Sequence, residues 1–169
     1  IMEVKLKQLI VILLIIFVSC GNVRAFDYIM ELHGKREIIK SYPLSKDKRY
    51  LNFILEGTFT DNLGNYGIWD SSNTVTLQNK NVINLQAYGK STYQNNEFIY
   101  SKSFRNKQEQ QAGVGKTGIV NASKSLLVLV GMSCTYAVNF YEENAYFIQK
   151  CKITEKQKEV LSNISKKKE

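Results

Sequence analysis

The sequence predicts an all-β domain, an antiparallel up-and-down β-barrel of about eight strands with a short C-terminal helix. Three observations carry that prediction. From Tyr50 onward, apolar side chains recur with a period of two. Tyr, Phe, Val, Ile and Thr, which suit a pleated and half-buried surface, dominate the chain. Turn residues interrupt it about every eight to twelve positions, as they do in sandwiches and closed barrels. No long segment before residue 154 has a helical period.

Four segments follow along the 169 residues: a signal peptide over 1–25, an N-terminal segment over 26–49, a barrel domain over 50–153, and a short helix with a basic tail over 154–169. Met2 to Gln8 carries Lys5 and Lys7, and the run Leu9 to Val18 is wholly apolar. Small residues then lead out through Ser19, Cys20 and Gly21 to Val23-Arg24-Ala25. A basic start, an apolar middle and a small-residue exit make the layout of a secretory signal. The apolar run is too short for a membrane span, which needs about 20 residues. Two exits are open. Cleavage after Val23-x-Ala25 leaves Phe26 first and releases the protein. Lipidation of Cys20, after Phe17-Val18-Ser19, tethers it to a membrane. Either way the expected location is the periplasm or the exterior.

The elements are expected in this order. Phe26 to Leu32 reads as strand or short helix, broken at His33-Gly34, and Ser41 to Arg49 reads as loop. Leu51, Phe53, Leu55 and Phe59 then share one face of a strand, with Gly57 marking a bend or bulge. Asp61 to Asn65 is a turn, Tyr66 to Trp69 begins the next strand, and Asn79-Lys80-Asn81 is a tight hairpin. In Glu97 to Phe104, Phe98, Tyr100 and Phe104 alternate with Ile99, Ser101 and Ser103. Arg105 to Gln111 reads as an exposed polar loop. Further strands are expected at Val114 to Val120, Leu126 to Val130, Met132 to Phe140 and Ala145 to Ile153. Thr154 with Gln157 forms a capping box ahead of a helix whose apolar face is Val160, Leu161 and Ile164.

Export leaves two cysteines in an oxidising compartment, Cys134 and Cys151. A turn from Tyr141 to Asn144 pairs Phe140 with Ala145, Val138 with Phe147 and Tyr136 with Gln149. The next pair on that face is Cys134 opposite Cys151. Cα atoms of such a pair sit about 4.5–5.5 Å apart, within reach of a disulfide. There is no Cys-x-x-Cys to tune a thiol, so the bond is expected to be structural.

Charge and motifs exclude several functions. More than half of the net charge of +8 sits in the leader and in the tail ending Lys166-Lys167-Lys168. The domain between is nearly balanced and lacks the basic stripe of a nucleic-acid binder. Contact with a membrane is expected only through a lipid at Cys20 or through that tail. Gly113-Val114-Gly115-Lys116-Thr117 resembles the end of a phosphate loop, but Gln110 stands where its first Gly is needed. His33 is the single histidine, read as an exposed loop residue, so a histidine-rich metal site is excluded by count. No catalytic residue, metal or cofactor is assigned. Glu56 lies inside a strand, facing either solvent or a cavity, where its pKa would rise. Trp69, Tyr66, Tyr88, Phe98, Tyr100 and Tyr136 are the aromatic candidates for lining a ligand pocket, with Glu56 beside them.

Glu56-Gly57-Thr58-Phe59, Gly113-Val114-Gly115-Lys116 and Cys134-Thr135-Tyr136 lie in a region, Leu51 to Ile153, that resembles small secreted bacterial β-barrels. That region is similar to the allene-oxide-cyclase and lipocalin-type barrels. No catalytic residue of a cyclase matches, and the lipocalin Gly-x-Trp is missing, since Trp69, preceded by Gly67 and Ile68, is expected in the second strand. The resemblance implies a barrel fold and a binding role. The expectation is an exported, non-enzymatic barrel that binds a small apolar ligand. The alternatives are a structural or protein-interaction module of the cell envelope and, behind it, an isomerase-type enzyme.

Overall fold

A computed structural model of the protein describes residues 25–106 and 108–166. The leader, with Cys20, and the last lysines of the tail lie outside the described residues. Eight long strands build the fold: β1 (Phe26–Pro43), β2 (Lys48–Asp61), β3 (Tyr66–Gln78), β4 (Asn81–Tyr93), β5 (Phe98–Arg105), β7 (Ala112–Ala122), β8 (Ser133–Tyr141) and β9 (Asn144–Ile153). A two-residue strand, β6 (Gln108–Glu109), extends the β4 edge. Each long strand pairs antiparallel with the next, and β9 returns to β1. The sheet is therefore a closed up-and-down barrel with no free edge between long strands.

The segment 26–49 belongs to this barrel. The sequence reads it as a region apart because its period is blurred by Glu31, Lys35, Arg36 and Glu37. It is the closing strand all the same: Tyr28, Met30 and Leu32 point inward, and β1 pairs with both β2 and β9. His33 is exposed but lies within β1, edge-on to Tyr146 at 5.5 Å, rather than in a loop. Leu126 to Val130 is not a strand. Lys124–Leu129 forms a 3₁₀ helix that buries Leu126 and Leu129, three residues apart as that helix requires. Gly131, at φ 89°, ends the connection.

One end of the barrel is plugged. Helix α1 (Glu155–Ser162) starts on the expected capping box, with Gln157 N donating to Thr154 Oγ1 at 3.3 Å. Its Leu161 and the following Ile164 are buried beside Leu126, Leu129 and Met132. Beneath them Tyr28 donates to Asp61 at 2.8 Å and lies 3.1 Å from the Tyr93 hydroxyl. Asp61 also accepts from Leu63 N, Asn65 N and Asn65 Nδ2, which closes the expected Asp61–Asn65 turn.

The β8–β9 hairpin has the expected register in full, from Tyr141 opposite Asn144 to Cys134 opposite Cys151. The two cysteines are joined as a disulfide with Cα atoms 4.2 Å apart. That bond is compatible with an exported protein. Among the described residues no helix is long and apolar enough to cross a membrane.

Candidate ligand cavity

Two aromatic rings frame the space inside the barrel, and glycines seat both. In one cross-strand row Gly34 of β1 faces Gly57 of β2, which faces Trp69 of β3. A Cβ on Gly34 would stand 2.9 Å from Trp69 Cζ2, and one on Gly57 would strike the β1 backbone. The indole therefore rests against Gly34, with Nε1 donating to Thr58 O at 3.1 Å and His33 O at 3.4 Å. Gly57 marks a close approach of the β1 and β2 backbones, not a bulge; the β1–β2 irregularity lies between Ile38 and Lys40. On the far side Tyr136 folds over its partner Gly115, where a Cβ would collide with the phenol ring. Phe147 stands between, 5.4 Å from Trp69 and 6.0 Å from Tyr136.

The two walls of the barrel differ in chemistry. From β1, β2, β8 and β9 come Met30, Leu32, Phe53, Leu55, Val138, Phe140 and Phe147. From β3, β4 and β5 come mostly small or polar groups: Ser71, Asn73, Ala87, Gly89, Ser101 and Ser103. Small side chains opposite large ones leave space, and a cavity of about 80 Å³ results. It has room for roughly half a dozen water-sized groups. The polar wall is internally bonded: Asn73 Nδ2 donates to Ser71 Oγ at 2.9 Å and Ser103 donates to Thr117 Oγ1 at 2.7 Å.

The aromatic candidates divide between the two faces of the sheet. Trp69 and Tyr136 line the cavity. Tyr66, Tyr88 and Tyr100 are exposed on the outer face. Phe98 is half-buried outside, with Lys90 Nζ 5.0 Å from its ring centroid and 5.9 Å from that of Tyr100. Lys102 covers Tyr88 in the same way at 5.5 Å. Glu56 is exposed on the outside of β2. The inward face of β5 is instead Ile99, Ser101, Ser103 and Arg105.

No protein-family model matches the chain, and no curated protein matches its sequence. The closed eight-stranded antiparallel barrel is consistent with a lipocalin-like barrel.

Arg105 is the residue that the sequence reading placed on the wrong side, at the head of an exposed loop. It is the last residue of β5, on the inward parity of Ile99, and is only 3 % exposed. Nη2 donates to Gln110 O at 3.3 Å, while Nε and Nη1 are buried without a partner. Burial pushes its pKa down, and nearby Tyr136 partly opposes that. Burial raises the Tyr136 pKa, so the phenol stays a neutral hydrogen-bond donor. Arg36 comes from β1 to the same end, half-buried, 4.8 Å above the Phe140 ring and bonded to Glu142 O at 2.9 Å. Among the described residues no three His, Cys, Asp or Glu side chains converge as metal ligands would.

Proposed function

We propose that this is an exported, non-enzymatic barrel that binds a small, largely apolar ligand. One observation carries the reading: a cavity whose aliphatic and aromatic side from β1, β2, β8 and β9 faces Ser71, Ala87, Gly89, Ser101 and Ser103, small residues set among the larger Trp69, Leu85 and Ile99. A barrel filled for stability alone would place bulk at those five positions too. The leader supports export, with either free release or a tether at Cys20.

Native mass spectrometry of protein taken from its own envelope tests the reading directly. A small apolar molecule should co-purify. In solution, Trp69 is the chain's single tryptophan and lines the cavity, so its emission should change on binding. Ala87→Leu adds bulk to the small-residue wall and should abolish that change while the barrel still folds. An apo mass in the envelope preparation, with Trp69 emission indifferent to small apolar compounds, sinks the proposal.

A second reading keeps one observation of its own. β1 runs past its last β9 partner, Lys35 opposite Asn144, and Ile38, Ile39, Tyr42 and Leu44 are exposed along it and at the turn that follows. An apolar tip of this kind favours the interaction-module alternative. Envelope partners lost on replacing these four side chains with Ser would support it.

A further inference from the structure

The ligand's chemistry can be narrowed, on the reading that the cavity binds a small molecule, from the one side chain among the described residues that keeps buried polar atoms without a partner. Arg105 carries five N–H bonds on a planar guanidinium. Three of them, on Nε and Nη1, meet no acceptor, and the side chain is 97 % buried. Among the described residues the guanidinium makes one hydrogen bond, to Gln110 O, and it is long at 3.3 Å. No ion pair among the described residues includes it. The one carboxylate along the cavity wall is Asp70, which opposes Lys90, whereas Arg105 opposes Leu85. Five residues of strand separate those rows, about 17 Å at the usual rise per residue. Arg36 adds a second cation at the Arg105 end.

A buried guanidinium with three of its N–H groups unbonded is costly, and among the described residues no other buried side-chain nitrogen or oxygen lacks a partner. The geometry points to a missing anion: the cavity takes a small amphipathic carboxylate, with the carboxylate on Arg105 and the tail against Phe53, Leu85 and Phe140. A carboxylate suits the site because its two oxygens match the guanidinium fork. The Tyr136 hydroxyl lines the same cavity as a neutral donor. The apolar wall then covers a short tail, and the cavity volume limits how long that tail is.

The test is calorimetric titration of the full exported protein with hexanoate and with hexan-1-ol, which share a tail and differ in the head. Hexanoate should bind at least tenfold more tightly. Arg105→Met should remove that advantage, and Arg105→Lys should restore part of it. Equal affinities of the wild-type protein for the two compounds overturn the carboxylate and leave the apolar-ligand reading standing. So does hexanoate binding that is unaffected by Arg105→Met. Binding of neither compound, with no change in Trp69 emission, overturns the cavity reading and this inference with it. The wild-type comparison decides the matter even if the Met variant fails to fold.

Discussion

Trp69 lies across Gly34, and Tyr136 across Gly115, because another strand offers each ring a bare backbone to rest on. Rings that rest on glycine pin the strand register as well as filling space. Gly115→Ala should therefore displace the Tyr136 ring and cost about 1–3 kcal/mol as an overpacked site. A lower urea midpoint at unchanged slope, with a reduced near-UV tyrosine signal, would show it. Arg105 obeys the opposite logic. Replacing it with Met removes a buried, poorly bonded charge and keeps most of the apolar bulk. The ligand-free Arg105→Met protein should be more stable than the parent by about 1–3 kcal/mol. A clear loss of stability in urea would mean that Arg105 has a structural partner. Arg105 was legible in the sequence by parity alone, since Ile99, Ser101, Ser103 and Arg105 are two apart. The polar run that follows concealed it.

Among the elements, the β8–β9 hairpin was the most fully legible. A tight turn sets the register, and the register sets which side chains meet. Cys134 and Cys151 meet for that reason. They enclose a loop with a sequence separation of 17, so reduction should cost about 3 kcal/mol on the chain-entropy model. Thermal unfolding with and without reductant checks this, against a Cys134→Ser/Cys151→Ser control that should be insensitive to reductant. The segment after β7 was less legible. Leu126 to Val130 is an apolar run too short for its period to separate strand from helix. The outcome depends on position: the segment lies over the plugged end, where Leu126 and Leu129 meet α1 and no strand edge is available to pair with. Gln157 Nε2 donating to Val128 O at 3.1 Å ties the two helices together.

At the scale of the molecule, the plugged end couples stability to alkaline pH. Tyr28 and Tyr93 are buried, and both pKa values stand above the ordinary tyrosine value of 10.0, chiefly through desolvation. Below that value the folded and unfolded chains both keep these protons. Above it the unfolded chain releases protons that the folded chain retains, so it binds fewer, and stability falls as pH rises. The melting temperature should drop from about pH 10 upward. The drop should be shallower in the Tyr28→Phe/Tyr93→Phe variant, which has no such protons to lose. Equal slopes in the two proteins would contradict the burial of these phenols.

The sequence by itself determined the class of fold, the strand period, most hairpins, the helix cap and the cysteine pair. All of these follow from neighbours along the chain or from pairing across one turn. Only the tertiary structure decided which face of β4 and β5 is the inside. Both faces carry plausible core residues, and a strand's period of two names two faces without choosing between them. Closure of β9 onto β1 made the choice. It turned Tyr88, Tyr100 and Phe104 outward, where Lys102 and Lys90 shield two of the rings, and turned the serines and Arg105 inward. The cavity and its unpaired cation come from that closure.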